Sequence, residues 1–302
     1  MLRAPWKRLY TPKTQHVLFP LRAVWYSECV KYYQKESTAV TEETVYYDDE
    51  QNDEFSGITR DTVTVDETYP YLPKNPLWRA TAFLLYRLVM KPFAFLYCKL
   101  KFGLRIRGKK ALRPFRKSGY FVYANHTLMA GDAFIPNLLD LHKRTYVVVH
   151  PDNISAPTAA WLVRMCGGIP TPTTLHGHRP FVAAIEHHIR AGHSVCVYPE
   201  AHIWPYCARI RDFSDISFAY PVRLGAPVFS ATVTYQKRRV GKTPRVTVFI
   251  DGPYYPDTKN GTRVARKDLR DCVYRVMRAR ATQYSTYERI RYRKRGEEIE
   301  NG

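Results

Sequence analysis

Between residues 120 and 250 the chain alternates short apolar runs with stretches of helical spacing. The runs are Tyr120–Tyr123, Thr145–Val149, Ser194–Tyr198, Val228–Thr234 and Arg245–Ile250, and the helical stretches are 132–142, 156–166 and 179–191. Runs of this length read as strands, and their alternation with helices predicts an α/β sheet covered on its faces. The last two runs are joined by Gln236–Pro244, which contains Gly241 and reads as a hairpin. The fold expected is therefore a mixed, mostly parallel sheet flanked by helices. Such a sheet presents chemistry where its strands run out into polar turns.

The first of these turns follows Tyr120–Ala124 and holds Asn125, His126 and, after five intervening residues, Asp132. An imidazole moves protons near neutral pH, and a carboxylate beside it fixes its tautomer. A hydroxyl is a poor nucleophile until a base takes its proton during attack, so a His held by an Asp suits transfer to a hydroxyl. A histidine here also suits a turn cap or a satisfied core position, and the strand–turn–helix setting brings the two readings level. The second turn, Tyr198–Pro205, carries Glu200 and His202, with Arg209 and Arg211 beyond it. Paired arginines suit bidentate phosphate contact. A third segment, Met165–Pro172, contains Gly167 and Gly168, which permit a close backbone approach but more often make a plain turn. A fourth, Tyr220–Val228, contains Arg223, either a phosphate contact or a surface residue. Glu186, His187, His188 and His193 have neither HExxH spacing nor a cysteine pair, read as a helix surface, and give no reason to expect a metal. No phosphate-binding P-loop, dinucleotide glycine fingerprint or GxSxG turn is present.

Charge bounds the partner. Lys plus Arg number 47 and Asp plus Glu 27, a formal charge of +20, which calls for an anionic membrane, phosphorylated substrate or nucleic acid. Residues 41–70 run the other way, with ten acidic residues and one Arg. Within them Tyr46–Phe55 reads as a solvated or partly disordered acidic loop, or else as a flap over the basic surface, Gly57 marks a turn, and Thr62–Val65 is a candidate strand. Pro70, Pro73 and Pro76 form a linker. The apolar stretch Trp78–Cys98 follows, interrupted by Arg79, Arg87 and Lys91, with Pro92 expected to bend it. It is read as an amphipathic helix lying in the headgroup region or packed on the domain, not as a transmembrane anchor. Lys99–Lys117 continues basic. No signal peptide is recognised in the N-terminal residues. Six cysteines without a CxxC pair read as reduced thiols of an intracellular protein. The tail from Val264 has Leu269, Cys272, Val273, Val276 and Met277 on one helical face, and its basic character runs to Arg295.

Taken together, the four segments resemble the glycerolipid acyltransferases of the lysophosphatidic acid type. That family carries Asn-His-x-x-x-x-Asp after a strand, Pro-Glu-Gly-Thr-Arg after another, and a Pro-containing turn before a third. The matches are Asn125, His126 and Asp132, then Pro199 and Glu200, then Pro227, over roughly residues 77–256. This chain has one more residue between His126 and Asp132, which Gly131 is expected to absorb, and it lacks the family's phosphate-binding Arg. The resemblance implies an N-terminal extension at 1–75, an acyltransferase domain at 76–260 and a basic C-terminal helix at 261–302. It implies transfer of a fatty acyl group, without a cofactor, from acyl-CoA or acyl-carrier protein to a hydroxyl of a lysophospholipid-like acceptor. His126 would be the base and Asp132 its orienting group. Asn125, Glu200, His202, Arg209, Arg211 and Arg223 would bind substrate, and backbone amides near Ala201 or Gly168 would hold the oxyanion. The chain would sit in the cytoplasm on the inner face of the cell membrane and would not bind nucleic acid. The alternatives are acyl transfer to a non-phosphate acceptor, and a non-enzymatic binder of anionic membrane or nucleic acid on the same scaffold.

Overall fold

The computed structural model describes residues 43–55, 57, 63–155, 157–241 and 243–296. The N-terminal residues, Thr62 of the candidate strand and the residues after 296 lie outside them. Seven strands form one sheet: β2 (Arg105–Arg107), β3 (Tyr120–Ala124), β4 (Thr145–Val149), β5 (Gly168–Pro170), β6 (Ser194–Val197), β7 (Val228–Gln236) and β8 (Arg245–Tyr254). Their order is β2-β8-β7-β3-β6-β4-β5. Only the β7–β8 hairpin pairs antiparallel; the other junctions are parallel. The sheet is mixed and mostly parallel, as the alternation of runs implies.

Period-two alternation sorts the core. Tyr120, Val122 and Ala124 of β3 face one side, with Phe229, Ala231 and Val233 of β7. Phe121 and Tyr123 face the other, where α5 (His178–Arg190), α6 (Ala219–Leu224) and α7 (Thr262–Tyr284) pack through Phe181, Ile185, Val222, Leu269, Val273 and Met277. The first side is covered by α1 (Pro76–Phe102), α2 (Met129–Phe134) and α3 (Pro136–Leu139). A further helix, α4 (Pro157–Cys166), packs beside α1.

Several elements differ from the sequence reading, each for a local reason. The helix expected at 132–142 is two short helices that end at Asp140. Met165–Pro172 holds an edge strand, where Pro170 at the strand end costs no ladder bond. The basic tail is not helical to Arg295: α7 stops at Tyr284, and Ile290–Lys294 forms β9. Its alternation buries Ile290 and lays Tyr292 against Trp204. β9 pairs in parallel with β1 (Glu43–Tyr47), so the acidic segment begins as a strand, while residues 48–55 beyond it form a loop in which Asp48, Asp49, Gln51 and Asn52 are exposed. The histidine cluster is not simply a helix surface either: His188 is 6% exposed and stacks on Tyr146 with ring centroids 3.5 Å apart.

α1 runs without interruption from Pro76 to Phe102. Asn75 caps its start by accepting from the amides of Leu77 and Trp78, and Gly103, in the left-handed region, ends it. Pro92, expected to bend the stretch, stands in the first turn after a π segment without ending the helix. A π turn over Leu85–Met90 precedes the proline and shifts the buried stripe by one residue, so that Ala82, Tyr86, Lys91, Ala94, Cys98 and Phe102 all face the protein. Of the three cations that interrupted the apolar stretch, Arg87 and Lys91 turn inward and Arg79 stays exposed. Arg87 donates to the carbonyls of Leu141 and His142, and Lys91 to those of Asp140, Leu141 and Lys143. The outward face is left apolar, with Leu77, Leu88, Phe95, Leu96 and Leu100 more than half exposed. This corrects the reading of Trp78–Cys98 as too interrupted for a span. The helix is long and apolar enough to cross a membrane by length and composition.

The buried histidines give the fold an acid sensitivity. Burial, followed by His187, His193 and Arg144 beside it, pushes the His188 imidazole down to about 3, against about 6.5 in an unfolded chain. Between those values the unfolded chain binds a proton that the native one does not, so this contribution to stability is full above pH 6.5 and is lost as pH falls. His188→Phe, which keeps the stack on Tyr146, should lose about 1–2 kcal/mol less stability than wild type between pH 7 and pH 5. Denaturant melts at the two pH values measure the difference, and equal losses would exclude His188 as the cause.

Candidate active site

The sheet runs β3, β6 and β7 out at one edge, and the polar groups of the first two turns meet there. Asn125 ends β3 buried, with its amide pinned to β7: Oδ1 accepts from the Val233 amide at 2.8 Å and Nδ2 donates to the Val233 carbonyl. It fastens the turn to the sheet, which replaces the substrate contact expected of it. The next residue, His126, is 24% exposed, and its Nδ1 lies 2.8 Å from Asp132 Oδ2. The same carboxylate oxygen accepts from the Leu128 amide at 2.9 Å. With Nδ1–H given to Asp132, the free imidazole nitrogen is Nε2, which fits it to take a proton.

The extra residue between His126 and Asp132 is not absorbed in a glycine turn. The helix α2 begins at Met129, one helical turn folds Asp132 back (its amide donates to the Leu128 carbonyl at 2.7 Å), and the carboxylate returns to His126. Gly131 serves packing: a Cβ there would lie 2.8 Å from Leu128 Cβ and 3.3 Å from the Phe102 ring. Asp132 is buried, and its Oδ1 has no partner among the described residues. Burial pushes its carboxyl up, and the His126 contact pulls it back. The Leu128 and Thr127 amides oppose the rise as well, after the imidazole.

The second turn holds both members of the pair. Tyr198 stacks under the His126 ring with centroids 4.5 Å apart, and its hydroxyl donates to the Asp132 carbonyl at 2.6 Å. Glu200, 4% exposed, accepts from the His126 amide at 2.9 Å and from the Arg211 amide at 3.0 Å. Glu200 thus positions the backbone of His126 and does not face open space. Tyr198 is the residue that sequence reasoning missed; as the last residue of a strand run it read only as part of the core. Ala201 has φ 62, the left-handed region that glycine enters without cost, which accounts for the Gly that the resembling family carries there. Its amide donates to the Tyr198 carbonyl at 3.2 Å, and Gly168 lies in β5, three strands from β3. Neither expected oxyanion donor is free at His126.

The arginines expected to meet a substrate phosphate are engaged elsewhere. Arg211 is 1% exposed. Its guanidinium lies over the Trp204 ring at 4.7 Å, pairs with Glu200 at 3.3 Å and donates to the His202 and Glu50 carbonyls. Arg209 pairs with the Glu50 carboxylate, and His202 with Glu54 at 3.3 Å. The Trp204 indole donates to the Asp53 carbonyl at 2.7 Å and packs among Tyr47, Phe55 and Tyr292. The acidic segment is therefore a strap across the second turn, which is the flap reading with specific partners. Arg223 is exposed on α6, just before β7 begins level with Phe121. That is the end of the sheet opposite His126, so Arg223 does not join the site.

No protein-family model matches this chain, and no curated protein sequence matches it. Among solved structures it is similar to the 1-acyl-sn-glycerophosphate (LPA) acyltransferase PlsC from Thermotoga maritima, at 16% identity and a TM-score of 0.49, over 68% of this chain and 83% of that one.

Two substitutions test the support around the pair. Glu200→Ala leaves the Arg211 guanidinium buried without its carboxylate and should cost about 3–5 kcal/mol in a denaturant melt. A loss below 1 kcal/mol would show that Arg211 does not depend on Glu200. Ala201→Gly relieves the left-handed backbone and should raise stability by roughly 0.5–1 kcal/mol; a destabilised variant would show that the Ala methyl packs favourably there.

Proposed function

We propose that this chain is an acyltransferase that moves a fatty acyl group from acyl-CoA or acyl-carrier protein to an acceptor hydroxyl. The observation that carries the reading is the His126–Asp132 pair at a strand end, with Nδ1 bound to a buried carboxylate and the ring partly open to solvent. Nε2 takes the acceptor's hydroxyl proton as its oxygen attacks the thioester carbonyl. Asp132 holds the ring in the tautomer that leaves Nε2 free and stabilises the imidazolium that forms. Collapse of the tetrahedral intermediate expels the thiolate, which recovers the proton from the imidazolium. The step needs no covalent bond to the enzyme, because the base acts on a hydroxyl held beside the thioester.

The sequence pattern shared with glycerolipid acyltransferases supports a lysophospholipid-like acceptor. The outward apolar face of α1, beside a basic chain, supports docking on an anionic membrane leaflet, which we take to be the inner face of the cell membrane. A second reading of the acceptor, a hydroxyl compound without phosphate, is favoured by one observation. Arg209 and Arg211 are committed to Glu50 and Glu200, and Arg223 lies at the far end of the sheet.

Incubation with acyl-CoA and a mixed acceptor pool, followed by mass spectrometry, should show an acylated product and identify its class. His126→Ala should lower turnover by about 10²–10⁴-fold, and Asp132→Asn by an amount in the same range with acceptor KM little changed. Near wild-type turnover in a correctly folded His126→Ala variant would overturn the assignment and favour a binding protein on this scaffold.

A further inference from the structure

The β7–β8 hairpin carries a surface that the reaction does not use. Residues 237–245 read Lys-Arg-Arg-Val-Gly-Lys-Thr-Pro-Arg, with five basic residues and no acidic one. The hairpin leaves the sheet at the catalytic edge. Asn125, the residue before His126, is pinned to Val233, and the strand ends three residues later at Gln236, about 10 Å farther along. The tip stands clear of the protein. Val240 is 81% exposed, and nothing lies within 4 Å of a Cβ built at Gly241.

The hairpin is also joined to the end of α1. Arg238 donates to the carbonyls of Lys101 at 3.0 Å and Leu100 at 3.1 Å, the unsatisfied carbonyls at a helix C-terminus. A Cβ at Gly103, the α1 cap, would touch both Arg238 and Arg245. This places the exposed hairpin residues Lys237, Arg239 and Val240 beside the exposed Leu96, Lys99, Leu100 and Lys101 of α1. No ion pair among the described residues uses Lys237 or Arg239.

From this juxtaposition we infer that the β7–β8 hairpin is a second membrane-docking element, which inserts Val240 among lipid chains and sets Lys237 and Arg239 on anionic lipid phosphates. The chemistry favours a bilayer over a nucleic acid. The hairpin cations are flanked by the bare aliphatic side chains of Val240, Leu96 and Leu100, and residues 237–245 contain no aromatic ring to stack on a base. Two anchoring points, the α1 face and the hairpin, turn the catalytic edge and His126 toward the lipid headgroups. The inference rests on the docking part of the proposed function and is independent of the acyl-transfer chemistry.

The test compares wild type, Lys237→Glu/Arg239→Glu and Val240→Trp in flotation with vesicles of phosphatidylcholine containing 30 mol% phosphatidylglycerol, ~30% being enough anionic lipid to attract basic residues. The charge-reversed residues are exposed, so folding is checked by its thermal melt. Its partition coefficient should fall by about tenfold or more, because each basic residue near such a surface contributes to binding. The emission added by Val240→Trp should shift to the blue on vesicles and be quenched by lipids brominated on their chains. Wild-type binding with an unchanged double variant, or emission at Trp-substituted 240 that stays that of water, would overturn the hairpin's role and leave docking by α1 standing. Failure of wild type to float would overturn both. Equal or tighter binding to a single-stranded oligonucleotide, competed by the vesicles and weakened in the double variant, would reassign the hairpin to nucleic acid. The acyl-transfer reading is judged separately, by turnover of a detergent-dispersed acceptor.

Discussion

The Glu200 carboxylate is the interaction on which the rest of the site depends. It is buried, so its charge must be met, and it is met by the amide of His126, the amide of Arg211 and the Arg211 guanidinium. One carboxylate thus ties the end of β3 to the loop after β6. A buried charge with partners this close resists being unpaired more strongly than any surface ion pair. The imidazole is held at three levels: by Glu200 at its backbone, by Asp132 at Nδ1 and by Tyr198 against its ring face. Such preorganisation lets a base act without reordering its surroundings during the reaction.

Arg211 extends this network outward. Its guanidinium reaches the Glu50 carbonyl and lies on Trp204, and Trp204 carries the strap through Asp53, Tyr47 and Phe55. The strap is not an accessory to the site; its Glu50 carboxylate pairs with Arg209 and its Glu50 carbonyl accepts from Arg211, whose own carboxylate partner is Glu200. On the catalytic edge the hairpin's Lys237 and Arg239 are exposed and take part in no ion pair among the described residues.

Much of the fold was legible because it is written in local periodicity. The runs at 120, 145, 194, 228 and 245 are strands, and the hairpin is where its glycine-containing connection indicated. The His126–Asp132 contact was legible from residue type and strand end, although the spacing differed from the resembling family. What failed did so where a local pattern was outvoted. Ile290–Lys294 followed a basic helix and was read as more of it, but Ile290 and Tyr292 had apolar surface to cover. Arg211 was read as a phosphate contact because its fork suits one, and nothing local showed that the Glu200 carboxylate and the Trp204 ring would bury it.

The sequence by itself determined the alternating architecture, the strand ends that carry His126 and Glu200, and a strongly basic chain with an apolar helix. These follow from the side-chain period along one stretch of backbone, which needs no knowledge of distant residues. Only the tertiary structure decided which charges remain available. Glu50 meets Arg209 across 159 residues, and Arg87 and Lys91 turn inward to carbonyls some fifty residues away. Whether a cation faces a partner or solvent depends on what folding brings within a few ångströms of it, because Coulomb and hydrogen-bond energies fall off with distance in space and take no account of distance along the chain.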